Sequence, residues 1–120
     1  LLPQAAGARP ALGEGLRAAG WEVQVAEAYR TAPVLPSPDA LAAARAADAI
    51  TFTSSSTVEH FVAAGGLDAV PSVVACIGPA TAATARALGL TVDIEAAEHT
   101  VDGLVAALTS FFVGVRGSQR

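Results

Sequence analysis

Apolar positions in this chain switch between two spacings. Leu12, Leu16 and Ala19 share one helical face, so Arg9–Ala19 predicts a helix with Pro10 in its first turn and Gly20 as its stop. Val23 and Val25 alternate with Glu22 and Gln24, the period of a strand over Trp21–Tyr29, and Leu1-Leu2 reads as a strand remnant. After Thr31 the helical spacing returns. Ser37 can cap a helix running to Ala46, with Asp39 well placed in its first turn. Strand Ala49–Thr53 leads to helix Ser56–Ala64, which presents Val58, Phe61 and Val62 and ends at Gly65-Gly66. Val73–Ile77 is apolar throughout, as a strand covered on both faces is. Helix Ala80–Leu88 closes with Gly89, and a short strand Thr91–Ile94 follows. A last helix from Val101 to about Val113 keeps Val101, Leu104, Val105, Leu108 and Phe112 in helical register, leaving Gly114–Arg120 as a polar tail. Strands alternating with helices predict an α/β fold with a mainly parallel sheet.

Three prolines, Pro33, Pro36 and Pro38, stiffen the stretch between Tyr29 and the helix that follows, the best candidate for a boundary. The chain therefore divides into a strand–helix–strand segment (1–31), a Pro-rich connector (32–38), an αβ segment (39–113) and the tail (114–120). The first residue is Leu1, already inside a strand, which reads as the later part of a longer polypeptide.

Composition narrows the function classes. With 120 residues the chain suits one compact domain. Its net charge of −4 and lack of lysine argue against nucleic acid or an anionic membrane as partner. No apolar run approaches the ~20 residues of a membrane span, and no signal peptide is visible. Cys76, the single cysteine, lies in an apolar strand and reads as a reduced core residue of a cytoplasmic protein. Two histidines and one cysteine are scattered without ligand spacing, so no metal is expected. There is no Walker loop. The one G-x-G, Gly13-Glu14-Gly15, lies inside a predicted helix, and Ser54 lacks a nucleophile elbow.

What remains is a local pattern repeated at three places, a short apolar strand opening a helix through hydroxyl or glycine residues. Phe52 runs into Thr53-Ser54-Ser55-Ser56, Ile77 into Gly78-Pro79-Ala80-Thr81, and Ile94 through Glu98-His99 to Thr100. In a parallel sheet such junctions share the carboxyl edge, where helix N–H groups face one crevice suited to a polyanionic small molecule. Thr53, Ser54 and Ser56 are hydroxyl donors there, while Ser55 or Ser56 is expected to cap the helix. Gly78 either makes a tight turn or lets a ligand approach the backbone closely. His99 precedes a helix start, where it can reach a ligand or serve the cap, whereas His60 reads as a surface or half-buried residue. Tyr29, at a strand end beside Arg30, is either a packed aromatic or a functional hydroxyl. Arg9 is the best-placed arginine for an anion; Arg17, Arg45 and Arg86 read as solvated helix faces.

These segments together resemble the uroporphyrinogen-III synthase family. The resemblance rests on D-A-I-T-F-T-S-S-S-T-V-E-H-F (Asp48–Phe61), A-C-I-G-P-A-T-A (Ala75–Ala82), A-E-H-T-V-D-G-L (Ala97–Leu104) and the opening Leu1–Thr31. It implies flavodoxin-like or Rossmann-like three-layer lobes, two of them joined by extended strands, with substrate in the cleft. This chain would be the carboxyl-terminal half, partnered by the missing amino-terminal half of the same polypeptide and otherwise monomeric. The implied reaction is cofactor-free: hydroxymethylbilane, a linear tetrapyrrole polycarboxylate, loses water and closes with inversion of its last ring. By motif, Tyr29 matches the family tyrosine that assists departure of the hydroxyl group. Thr81 matches the threonine of the G-P-x-T turn, and Ser54 and Ser56 match the strand-end serines. Gln4 departs from the basic residue many members carry after the first strand. Two rival readings are a non-catalytic ligand-sensing module of the same fold within a regulator, and a flavodoxin-like domain for FMN or a nucleotide.

Overall fold

The computed structural model describes residues 1–118. The chain forms two compact units, Leu1–Val34 and Leu35–Arg120.

In the first unit, β1 (Leu2–Ala5) pairs in parallel with β2 (Val25–Tyr29), and α1 (Ala11–Ala18) connects them. The second strand is shorter than its alternation predicts. The Trp21 N–H donates to the Leu16 carbonyl at 3.0 Å, so Trp21 finishes the α1 turn instead of entering the ladder. Gly20 allows that reversal with φ +95°, a region a side chain disfavours. The α1 face also differs from expectation: Leu12 is exposed, and Gly13 is the one buried residue among those described in this unit. A Cβ at Gly13 would stand 3.8 Å from Leu2 Cδ2, an ordinary van der Waals contact between α1 and β1.

The second unit is a three-stranded parallel sheet in the order β3 (Ile50–Phe52), β4 (Val74–Cys76), β5 (Ile94–Glu95). Helices α2 (Pro38–Ala46), α3 (Ser55–Gly65), α4 (Pro79–Ala87) and α5 (Val101–Ser118) accompany it. Ser37 caps α2, its Oγ accepting the Ala40 N–H at 3.1 Å. The apolar run of β4 has the expected cause, since the strand is central and all three of its residues are buried. Successive side chains point to opposite faces. Val74 and Cys76 join Phe52, Val58, Ala82, Ala85 and Leu90 beneath α3 and α4. Ala75 joins Ile94, Ala96 and Leu104 beneath α5. Phe52 and Phe61 meet edge to face at 6.0 Å in the first of these layers. The unit is α/β with a parallel sheet and two apolar layers.

Two local expectations change. The last strand begins at Ile94, not Thr91, because the Asp93 carboxylate accepts the Val74 N–H at 2.8 Å, the place a β5 carbonyl would take. The segment read as a polar tail is helical through Ser118, and the remaining two residues lie outside the described ones. Phe111, Phe112, Val113 and Val115 carry the apolar spacing onward, and a helix-interior glycine such as Gly114 costs only about 1 kcal/mol. At 18 residues with mean hydropathy 1.2, α5 is long and apolar enough to cross a membrane by length and composition, which the sequence reading did not anticipate. Leu104, Ala107, Leu108 and Phe111 of that helix pack against the sheet.

Candidate functional site

Each strand of the second unit ends at the same edge because the three are parallel. Their exits start α3, α4 and α5, so three helix amino termini gather there. The positive ends of their dipoles make this edge a favourable place for carboxylate.

At the first junction Ser54, not Ser55 or Ser56, is the cap. Its backbone is extended (φ −156°, ψ 154°), and its Oγ accepts the Thr57 N–H at 3.3 Å. The reason is where β3 stops: Phe52 is its last residue, and Ser54 is the last position before helical dihedrals begin. The Ser54 hydroxyl also lies 2.6 Å from Thr57 Oγ1 and 3.4 Å from Ser56 Oγ. Thr53 is exposed beside it. Ser55 donates to the Ala80 carbonyl at 3.4 Å, linking the start of α3 to the start of α4. Sequence reasoning missed this link, since a hydroxyl at the first helical position gives no sign of whom it will meet.

At the second junction Gly78 is the N-cap of α4, and no side chain caps that helix. The N–H groups of Ala80 and Thr81 precede the first intrahelical bond, Ala82 N–H to the Gly78 carbonyl at 3.0 Å, and so have no carbonyl within α4 to donate to. Thr81 itself is only 5% exposed. Over Gly78 lies the His99 side chain, with Cδ2 and Cγ each 3.2 Å from where a Gly78 Cβ would be.

At the third junction Thr100 caps α5, its Oγ1 accepting the Gly103 N–H at 3.0 Å. His99 is thereby left out of the cap and is exposed. The structure therefore brings Thr53, Ser54, Ser56, Gly78, Thr81 and His99 to one sheet edge. Arg9 and Tyr29 belong to the first unit. There Tyr29 closes β2 with its side chain exposed, and its carbonyl accepts the Ala6 N–H at 2.8 Å. Arg9 stands just before α1.

Four other arginines have structural partners. Arg30 pairs with Glu27 at 2.9 Å, Arg86 with Glu95 at 3.6 Å, and Arg45 Nε donates to the Asp68 carbonyl at 2.8 Å. Arg17 donates to the Val23 carbonyl at 3.2 Å. Arg17, Arg45 and Arg86 are exposed helix-face residues, as expected, and each also reaches another element or loop. Cys76 is buried, and burial pushes its thiol pKa up, with Arg86 lowering it and Glu95 raising it. It is a core thiol rather than a nucleophile. Among the described residues no His, Cys, Asp and Glu come together in a metal-binding group. A hollow of about 240 Å³ walled by Leu67, Val70, Pro71 and Leu90 lies at the opposite, amino edge of the sheet, away from the hydroxyls.

A family model described as "Uroporphyrinogen-III synthase HemD" matches residues 1–106. The chain is also similar to a protein of Methanothermobacter thermautotrophicus (strain Delta H) named "Putative uroporphyrinogen-III synthase". The two are 37% identical over 120 residues, covering 89% of this chain and 47% of that protein. This chain thus spans about half the length of the curated relative it matches. No solved structure matches it.

Proposed function

This chain belongs to the uroporphyrinogen-III synthase family, and on that premise we propose that it serves in cyclising hydroxymethylbilane to uroporphyrinogen III. The reaction is a step of tetrapyrrole synthesis leading to haem, sirohaem and cobalamin. The observation that carries this reading is the gathering of three helix starts, with Thr53, Ser56 and His99, at the carboxyl edge of β3, β4 and β5. A polycarboxylate can be gripped there by N–H and O–H donors without lysine.

The chemistry asks for little else. The linear substrate loses its terminal hydroxyl as water to give an azafulvene. The substituted α-carbon of the last ring then attacks the electrophilic azafulvene methylene to form a spiro intermediate; its bond to the neighbouring bridge carbon breaks, and reclosure at the ring's other α-carbon, with loss of a proton, inverts that ring. The sum is redox-neutral, since every electron pair comes from the pyrroles and only water leaves. No cofactor or metal is called on by the balance. Unaided closure gives the symmetric type I isomer, so the protein's contribution is to hold one conformation, a positioning effect. In this reading Tyr29 donates to the departing hydroxyl. Arg9, the Ala80 and Thr81 N–H groups, Thr53, Ser56 and His99 hold carboxylates, and Ser54 fixes the α3 start. A cytoplasmic setting agrees with the reduced, buried Cys76.

Tyr29→Phe tests the assignment. The side chain is exposed, so the substitution leaves the fold intact, and the expected result is a severalfold or greater slowing of type III formation. An unchanged rate and isomer ratio would remove Tyr29 from the mechanism.

A further inference from the structure

Helix α5 carries a second apolar row that the sheet does not use. Leu104, Ala107, Leu108 and Phe111 pack inward. Val101, Val105, Leu108, Phe112 and Val115 form a different line, stepping by four and three residues in turn. On an α-helix these five lie within about 40° of one line, beside the inward row and sharing only Leu108 with it. They are the a and d positions of two heptads, the spacing with which one helix seats another. Val101 is 66% exposed, Val105 56% and Val115 41%. Phe112 meets Phe111 edge to face at 5.4 Å, and Phe111 is held by the sheet, so the row contains a fixed aromatic anchor. The row also runs past residue 106, where the family match ends.

The polar positions beside the row say what sits on it. Asp102 and Arg116 are the charged residues of α5 and stand two heptads apart on the outer flank of the row. Among the described residues neither forms an ion pair. Thr109 lies midway between them, with its hydroxyl turned back to donate to the Val105 carbonyl at 2.8 Å. All three occupy the heptad e position, which faces its own kind when two helices run antiparallel. A second α5 laid antiparallel therefore sets Asp102 against the partner's Arg116 and Arg116 against the partner's Asp102. The two threonines then meet near the two-fold axis. A parallel copy gives neither pairing. The face is complementary to itself, as an isologous interface must be.

We propose that α5 is a dimerisation helix: two copies of this chain join by antiparallel packing of the row from Val101 to Val115, with Asp102 and Arg116 setting its direction. The proposal is independent of the reaction assigned above. Anionic lipid is a poorer match for the same row, because the chain has net charge −4 and no lysine.

Sedimentation velocity of the folded chain, from about 1 to 100 μM, suits an interface of this small size. The expected result is a mass rising to twice the 11.9 kDa of one chain. Asp102→Arg alone and Arg116→Glu alone each place like charges at both contacts, and each is expected to weaken the dimer by about tenfold or more. A mixture of these two variants joins opposite charges at both contacts again and is expected to recover the dimer. Mixing also separates a lost contact from a lost fold, since an unfolded chain is not rescued by another. Val105→Glu, at an exposed position off the sheet, is expected to abolish the dimer with circular dichroism unchanged. A wild-type dimer that all three variants keep would overturn the proposal, and so would weakened single variants that mixing does not recover. A wild type monomeric throughout would overturn it too. Flotation of that monomer with phosphatidylcholine vesicles would give the row to lipid, and failure to float would leave it to another segment of the polypeptide.

Discussion

Gly103 and Gly114 lie on the same helix and demand opposite things. A Cβ on Gly103 would run into the Glu98 carbonyl, whose backbone crosses the start of α5 there. A Cβ on Gly114 would meet open space. Gly103→Ala is therefore expected to destabilise the chain by about 1–3 kcal/mol through overpacking. Gly114→Ala is expected to stabilise it by up to about 1 kcal/mol through helix propensity. Urea midpoints of the two variants read both signs, and two shifts in one direction would contradict the α5 register. Ser54→Ala removes the α3 cap and is expected to cost about 1 kcal/mol, whereas Ser56→Ala costs less. The contrast was only half legible in the sequence. A run of three serines after a strand announces a cap, but which serine serves depends on where β3 stops, and Phe52 is held as its last residue by pairing with Cys76. The seat of His99 over Gly78 was not legible at all, because it joins residues from two separate junctions.

The elements followed the apolar spacing closely in kind and order, and differed at their ends. Ends are decided by single hydrogen bonds that no periodicity carries, as Asp93 to the Val74 N–H and Trp21 to the Leu16 carbonyl show. The centre of the sheet was plain because β4 is covered on both sides, and an uninterrupted apolar strand is what that coverage requires. The same coverage makes Cys76 a probe of β4. Below the ordinary thiol pKa of about 8.5, folded and unfolded chains both keep its proton, and it adds no pH dependence. Above that value the unfolded chain releases the proton while the buried thiol, with its raised pKa, retains it. Stability should then fall as pH rises through the interval up to the raised native value. Urea midpoints between about pH 7.5 and 9.5 should show this decline in the wild type and a shallower one in Cys76→Ala. Equal slopes would mean that Cys76 is not held in the core.

At the scale of the molecule, the two units differ in how much they bury. Leu35–Arg120 has an apolar layer on each face of its sheet. Leu1–Val34 leaves Trp21 69%, Leu12 59% and Val25 48% exposed, and segments below about 40 residues seldom fold without further support. A peptide of residues 1–34 is expected to lack stable helix and strand by circular dichroism, and a chain of residues 35–120 to keep them. The division between the units falls after Val34, within the Pro-rich stretch. The sharing of one edge by three helix starts was also legible, since strand–helix junctions in one parallel sheet all fall on the same side. The central claim is that this edge holds a linear tetrapyrrole in the conformation that inverts its last ring. Its most direct test is the isomer ratio of uroporphyrin, read by HPLC after the folded chain meets freshly generated hydroxymethylbilane. Type III in excess of the protein-free control is the predicted result; type I alone from a folded sample would contradict it.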